Sequence, residues 1–516
     1  MINATIDEKP WRGWIAIFAV CSVTVLLCMP FLRNIAWLGD EGVLLDGADR
    51  MLRGERIYSD FFEFLPPGGF LLVEGWFRVA GSSFVAERIL AILTITGIAC
   101  FTYLCCLQSS KHVLISAAAA LAWVIWSQLV WSLQISHHWF TTLFSMISAW
   151  AALRRGRAGL ASNSMPFLSG LAAGAAAMIT PTRGALAAIA ASIAFMGSGA
   201  RQVFLSFVAG CAVLPILLLL FIESQGSLVA AFADVIVFPA TQYSSIQSVP
   251  FAAGGPISNS LKYTYPITAF VMALVFVLRW RSVSRDQILW TSTALALAGV
   301  LGAFPRPDLV HIAFSLPLSL PLSTYCLAIL VNRASRELIY LVAGLVPLFY
   351  LPDIFNFYWD AKHALQTKLT HTPRGDVALR EDGAADLVDQ LNSDSASTFF
   401  YPYMPMLPYL TAKEQAAKYD VFVPHYTTAE QYRETCAEIT AGASVIVLNT
   451  LWDNEDFLRK VFPSMTARED QSKKGFDEAI RKEFTPAWEG GQFQILHRIS
   501  KIPEDTCSTL RGETGF

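Results

Sequence analysis

A helix that crosses a bilayer needs about 20 apolar residues, because lipid offers the backbone no hydrogen-bond partners. Uncharged, apolar runs of that kind recur along the first two thirds of this 516-residue chain, near residues 14–32, 88–107, 113–134, 138–153, 165–180, 184–199, 203–222, 263–279, 287–304, 311–331 and 338–358. Eleven spans are predicted. The first run is long for a signal peptide, has no small-x-small site after it and precedes ten more, so it is read as a retained span. On length alone the chain would suggest about three soluble domains. Composition argues otherwise, with 54% hydrophobic and only 15% charged residues.

That average hides a division. Residues 1–359 are about 11% charged, whereas Asp360 to Phe516 is about 26% charged, as in a soluble domain. Two domains are therefore expected: a membrane body at 1–359 with a long outer first loop at 33–84, and an extracytoplasmic α/β domain at 360–516. The tail carries a net −7 and the body +4. Neither has the basic stripe that a nucleic-acid backbone requires, so nucleic acid is excluded as a partner.

Sidedness follows from Lys and Arg in the short loops. With the N-terminus cytoplasmic, the inner loops hold Lys9, Arg12, Lys111, Arg154, Arg155, Arg157, Arg201, Arg279, Arg281, Arg285, Arg333 and Arg336. The outer short loops hold little beyond Arg183, Lys262 and Arg306. An odd number of spans places the tail outside, with the first loop. Seven cysteines fall in apolar segments, and only Cys436 and Cys507 lie in the tail. In an oxidising compartment those two can pair; otherwise they are two reduced thiols. In the tail, 398–401, 444–449 and 493–499 read as strands, and 384–391, 428–439 and 454–461 as helices, which fits an α/β layer.

The first loop has eight carboxylates between Asp40 and Glu74. Residues 42–53 suit a short amphipathic helix with Val43, Leu44, Ala48, Met51 and Leu52 toward the membrane, and 70–79 a second one after Pro66-Pro67-Gly68-Gly69. Asp40 and Glu41 then lie at the exit of the first span, where partial desolvation would suit a carboxylate to act as a base. Asp46, Asp49, Glu55 and Glu74 are read as solvating the loop.

Threading the spans brings other polar residues to the same outer depth. His137 and His138 open the fourth span, Thr180 to Gly184 forms a turn with Arg183, and Phe304 to His311 forms a turn with Arg306, Asp308 and His311. Polar groups at membrane depth are costly and tend to line a site or pathway. Arg183 and Arg306 can clamp a phosphate by forked donation, with His138 or His311 adding hydrogen bonds. Structural readings stand beside these: an Arg306–Asp308 pair stiffening the turn, and interfacial packing of the histidines. Asp40, Glu41, Glu63 and the histidines are also candidates for a divalent cation, though no compact ligand spacing supports it. Phosphate-loop, nucleophile-elbow and zinc-helix motifs are absent, and so, apart from Asp353, are charges within spans. An ATP-driven pump and an ion-coupled transporter are disfavoured on those grounds.

The Asp40-Glu41 pair closing the first span, and the run from Gly54 to Gly68 with Tyr58, Asp60, Glu63 and Pro66-Pro67-Gly68, resemble the polytopic GT-C glycosyltransferases. The likeness is to bacterial members related to the protein O-mannosyltransferase and lipid A aminoarabinose transferase group. His137-His138-Trp139, the Arg183 turn, the 306–311 turn, Thr372 to Gly375 and Tyr401-Pro402 extend it. The resemblance implies an integral protein of the bacterial inner membrane that uses a polyprenyl-phosphate sugar at its outer face and transfers it, with inversion, to an envelope glycan, lipid or protein. It implies Asp40 as base, Glu41 as its assistant, and Arg183 and Arg306 on the lipid phosphate. His137, His138, Asp308, His311, Tyr58, Asp60 and Glu63 join as substrate-binding residues; the polyprenyl-phosphate sugar is the donor substrate, no cofactor is assigned, and a divalent cation stays open. The alternatives are a flippase for a lipid-linked saccharide and a non-catalytic subunit of an envelope assembly complex.

Overall fold

The computed structural model describes residues 10–158, 164–196, 201–243, 247–253, 259–283, 286–332, 334–393, 395–465, 470–499 and 507. The chain is predominantly helical and forms two compact units that do not follow sequence order. The first comprises residues 1–32, 88–221 and 250–366; the second comprises 33–87, 222–249 and 367–516.

All eleven predicted spans fall on helices of the first unit, including Phe84–Ser110, Val113–Trp131, His137–Ala158 and Arg201–Ser224. Among the described residues five helices are by themselves long and apolar enough to cross a membrane, or six if Leu309–Leu318 and Leu320–Val331, bent by 64°, form one span. Some of the remaining apolar stretches yield shorter helices, such as Ser164–Ile179, Pro181–Met196 and Gln287–Gly302, whereas His137–Ala158 and Arg336–Gln366 have 22 and 31 residues. The protein is thus an integral membrane protein.

Small residues set the packing inside this unit. Gly170 and Gly174 let Ser164–Ile179 meet the backbone of Arg201–Ser224 at Phe207 and Cys211, where any Cβ would collide. Such spacing suits helix association where no hydrophobic force drives it. Cys105, Met146, Ala149, Leu153, Ala190 and Leu295 fill one core cluster. Asp353, the charge noted within the last predicted span, is buried and accepts from Trp126 Nε1 at 3.0 Å and from the Ser260 hydroxyl.

The second unit contains both sheets. Strands β1 (Asn34–Ile35), β2 (Thr370–Thr372) and β3 (Gly375–Leu379) form the first in the order β1-β3-β2, with β1 parallel to β3. Strands β4 (Thr398–Tyr401), β5 (Val445–Asn449), β6 (Phe484–Gly490) and β7 (Phe493–Arg498) form the second in the order β4-β5-β7-β6. Only β4 and β5 run parallel there, Thr398 facing Val445. The predicted tail strands appear as β4, β5 and β7, and the predicted helices as Ala384–Asn392, Ala429–Gly442 and Glu455–Val461. Thr428 and Gln431 cap the middle helix reciprocally. Cys436 and Cys507 form a disulfide.

The first loop forms two helices, Asp40–Leu52 and Gly68–Ala80. Val43, Leu44, Ala48 and Met51, expected to face the membrane, are instead buried in protein. The reason is packing against the tail: a Cβ on Gly42 would overlap the backbone of Met406, whose N–H donates to Leu38 O at 3.1 Å. Asp46, Asp49 and Glu74 do not solvate the loop either, each being at least nine-tenths buried. Asp49 accepts from Arg374 at 2.7 Å and from Arg53 at 2.5 Å. Arg374 also donates to the Ser82 and Tyr409 carbonyls, so one guanidinium ties three stretches of the unit together.

Candidate active site

In the first unit, chain breaks between helices supply the polar groups. Pro181 opens its helix at the first position, where a missing N–H costs nothing, and this puts Arg183 in the first turn. Gly184 lets that helix approach the Ala177 backbone closely enough to exclude any Cβ. Arg183 is buried, with an Nη1–His138 Nδ1 distance of 3.0 Å and Nη2 3.2 Å from Ser315 Oγ and 3.4 Å from Thr142 Oγ1. A guanidinium has no lone pair to offer, so Nδ1 of His138 accepts and that imidazole is neutral. No carboxylate pairs with Arg183 among the described residues.

The histidines surround this group. The rings of His137 and His138 lie 4.0 Å apart and those of His138 and His311 5.0 Å apart. Asp308 caps the helix that begins at Leu309, accepting from His311 N at 2.9 Å, from His311 Nδ1 at 2.8 Å and from Arg306 Nε at 2.8 Å. Burial alone would raise the Asp308 carboxyl, but His311, with Arg306, outweighs it and holds it at about 2. The expected gathering of His137, His138, Arg183, Arg306, Asp308 and His311 is therefore present within this unit. Phe314 and Trp139, in edge contact at 4.3 Å, form its apolar side. Thr142 and Ser315 were not anticipated, since lone hydroxyls in apolar runs give no sequence signal.

In the second unit, Asp40 is the first residue of its helix and is exposed. The Tyr403 hydroxyl donates to Asp40 Oδ1 at 2.6 Å. Glu41, one residue on, points inward and is buried. Tyr403 was visible in the sequence only as part of an aromatic and Pro-rich stretch at 399–409.

Behind Tyr403 lies a set of buried carboxylates. Burial pushes Asp46 up to about 7, Arg50 pulling it down and Asp420 adding to the rise. Asp420 rises to about 6 by burial, and Glu63 is raised well above the usual carboxylate range by burial and by Asp420. Glu63 Oε2 and Asp420 Oδ1 are buried without a hydrogen-bond partner among the described residues. Burial, then the charge and hydrogen bond of Asp40, push the Tyr403 phenol up, with smaller effects from Asp420 and Glu63. Tyr58 and Asp60 find local partners instead: Tyr58 donates to Leu65 O at 2.8 Å, and Asp60 pairs with Arg56 at 3.0 Å. Among the described residues no three His, Cys, Asp or Glu side chains gather as metal ligands.

The backbone resembles two solved structures. One is the crystal structure of ArnT from Cupriavidus metallidurans bound to undecaprenyl phosphate, with a TM-score of 0.54 and 11% identity over 95% of this chain and 99% of that one. The other is the Archaeoglobus fulgidus oligosaccharyltransferase in complex with Zn and sulfate, with a TM-score of 0.51 and 11% identity over 85% of this chain and 70% of that one. No protein-family model matches the chain, and no curated protein matches it in sequence.

Proposed function

We propose that this chain, whose fold is that of the GT-C glycosyltransferases, moves a sugar from a polyprenyl-phosphate donor to an acceptor of the cell envelope, with inversion. The observation that carries the reading is Arg183, a buried permanent cation held by a neutral imidazole and two hydroxyls. Buried charges are as a rule paired. A guanidinium kept without a carboxylate suits an anion that arrives with the substrate, and the phosphate of a lipid-linked sugar is such an anion. The fold relative ArnT, solved with undecaprenyl phosphate, supports the same donor class.

In this reading Asp40 takes the proton of the acceptor hydroxyl. The acceptor oxygen attacks the anomeric carbon as the bond from that carbon to the phosphate oxygen breaks, and the phosphate departs with the bonding electron pair. Arg183, assisted by His138 and Arg306, stabilises the charge that develops on the phosphate. Tyr403 orients Asp40 through its hydrogen bond, and Glu41 supports the same helix end. His137, Asp308 and His311 hold the corner in which the phosphate sits, while Glu63 belongs to the carboxylate set behind Tyr403. No step is routed through a metal.

The sidedness proposed is an N-terminus in the cytoplasm and the tail outside the inner membrane. The Cys436–Cys507 disulfide supports it, because such bonds persist in oxidising compartments. The test is transfer of label from a radiolabelled polyprenyl-phosphate sugar to membrane acceptors by the purified chain in lipid nanodiscs. Movement of intact lipid-linked saccharide without bond cleavage would replace this reading by a flippase.

A further inference from the structure

A cavity of about 530 Å³ opens in the second unit, apart from Asp40 and its carboxylates. Trp452 and Asp453 on its wall lie in the turn that leaves β5. A smaller recess shares Asp453, Asp477 and Arg481 with it, and reaches Tyr401 and Pro402 at the end of β4. The cavity therefore lies beyond the carboxyl ends of the two parallel strands, where ligands of α/β sheets collect.

Its walls are polar and already ordered. Lys473 Nζ donates to Asp453 Oδ1 at 2.9 Å and to Asp477 Oδ2 at 2.6 Å, and the Tyr401 hydroxyl donates to Asp477 Oδ1 at 2.6 Å. Five carboxylates and four Lys or Arg side chains line the space, so neither sign dominates. That balance disfavours a highly charged ligand. It suits a neutral polyol, whose hydroxyls both donate and accept. A second observation is independent of this charge balance: Trp452 on the wall, 2% exposed, keeps an indole N–H with no hydrogen-bond partner among the described residues. An unpartnered buried donor of this kind costs about 1–3 kcal/mol.

The position also has meaning. The Trp452 ring lies edge-on to Tyr403, with centroids 5.4 Å apart, and Tyr403 donates to Asp40. One aromatic residue separates the cavity wall from the proposed base. We infer that this cavity is a subsite for a neutral oligosaccharide, the glycan chain of the acceptor. Its catalytic role rests on the glycosyltransferase reading, whereas the binding itself does not.

The probe is the neutral oligosaccharide fraction released from the host envelope by mild acid and labelled at its reducing ends with tritiated borohydride. Equilibrium dialysis against the full chain in nanodiscs measures retention. Retention by the wild type, weakened about tenfold in Lys473→Met and about fivefold in Arg481→Ala, is the expected result. Arg481 has an exposed side chain, so its variant guards against misfolding of the Lys473 variant, and thermal melting checks both. Asp40→Asn is expected to retain the probe as the wild type does, which separates loss of transfer from loss of binding. Absence of retention by the wild type, equal retention by both cavity variants, or retention of the acidic fraction alone would each overturn the inference.

Discussion

The Arg183 corner of the first unit and the carboxylate set of the second are both buried polar groups, and they resolve burial in opposite ways. Arg183 cannot shed its proton, so it stays charged and is held by His138, Thr142 and Ser315, none of which carries a compensating charge. Asp46 and Asp420 take up protons more readily instead, burial raising them to about 7 and about 6. The first arrangement leaves a cation uncompensated, which the proposed reading assigns to a substrate anion, whereas the second is a like-charged cluster made tolerable by protonation. Asp40 stands outside the burial that governs both, exposed at its helix end.

The largest effect is expected at Asp40. Asp40→Asn should reduce transfer from the labelled donor by about 10³-fold if the residue is the base, with the melting temperature unchanged. Near-normal turnover by that folded variant would remove the base assignment. Next comes Arg183→Gln, expected to lower kcat by about 10²-fold through lost stabilisation of the phosphate. Arg183→Lys should recover only part of it, because an ammonium lacks the fork. Since Arg183 has no carboxylate to strand, Arg183→Gln should not destabilise the fold; a large fall in its melting temperature would argue for a structural role.

Arg374→Met tests the contrast from the other side. It removes one of the two cations on buried Asp49 and frees the Ser82 and Tyr409 carbonyls, so a loss of about 3 kcal/mol is expected in denaturant unfolding. The smallest effect concerns pH. Asp46 and Asp420 bind protons more tightly folded than unfolded, so their contribution is full below the ordinary carboxylate range and is lost as pH rises to about 7. Thermal melting of the wild type should weaken from pH 5 to 8, and Asp46→Asn should flatten that slope. An unchanged slope would mean that Asp46 ionises freely in the fold.

Much of this was legible from the chain itself. Hydropathy located every helical stretch of the first unit, because lipid leaves an apolar backbone no other solution. Richness in β-branched, apolar and aromatic residues located β4, β5 and β7, and the polar turns at 137–138, 180–184 and 304–311 announced their own meeting place. The acidic first loop was misread in one respect. Asp46, Asp49 and Glu74 look like solvating charges in a linear sequence, since nothing local marks Arg374, 325 residues from Asp49, as a partner. Val43 and Leu44 likewise offer an apolar face without saying what covers it.

The sequence by itself determined the membrane-spanning character and the helices of the first unit, because each depends on local hydropathy and on hydrogen bonds closed within a few residues. Only the tertiary structure decided that residues 33–87 and 222–249 fold with the tail, that Tyr403 meets Asp40, and that a polar cavity stands beside Trp452. Those outcomes depend on contacts between residues well separated in the chain, for which local composition holds no record.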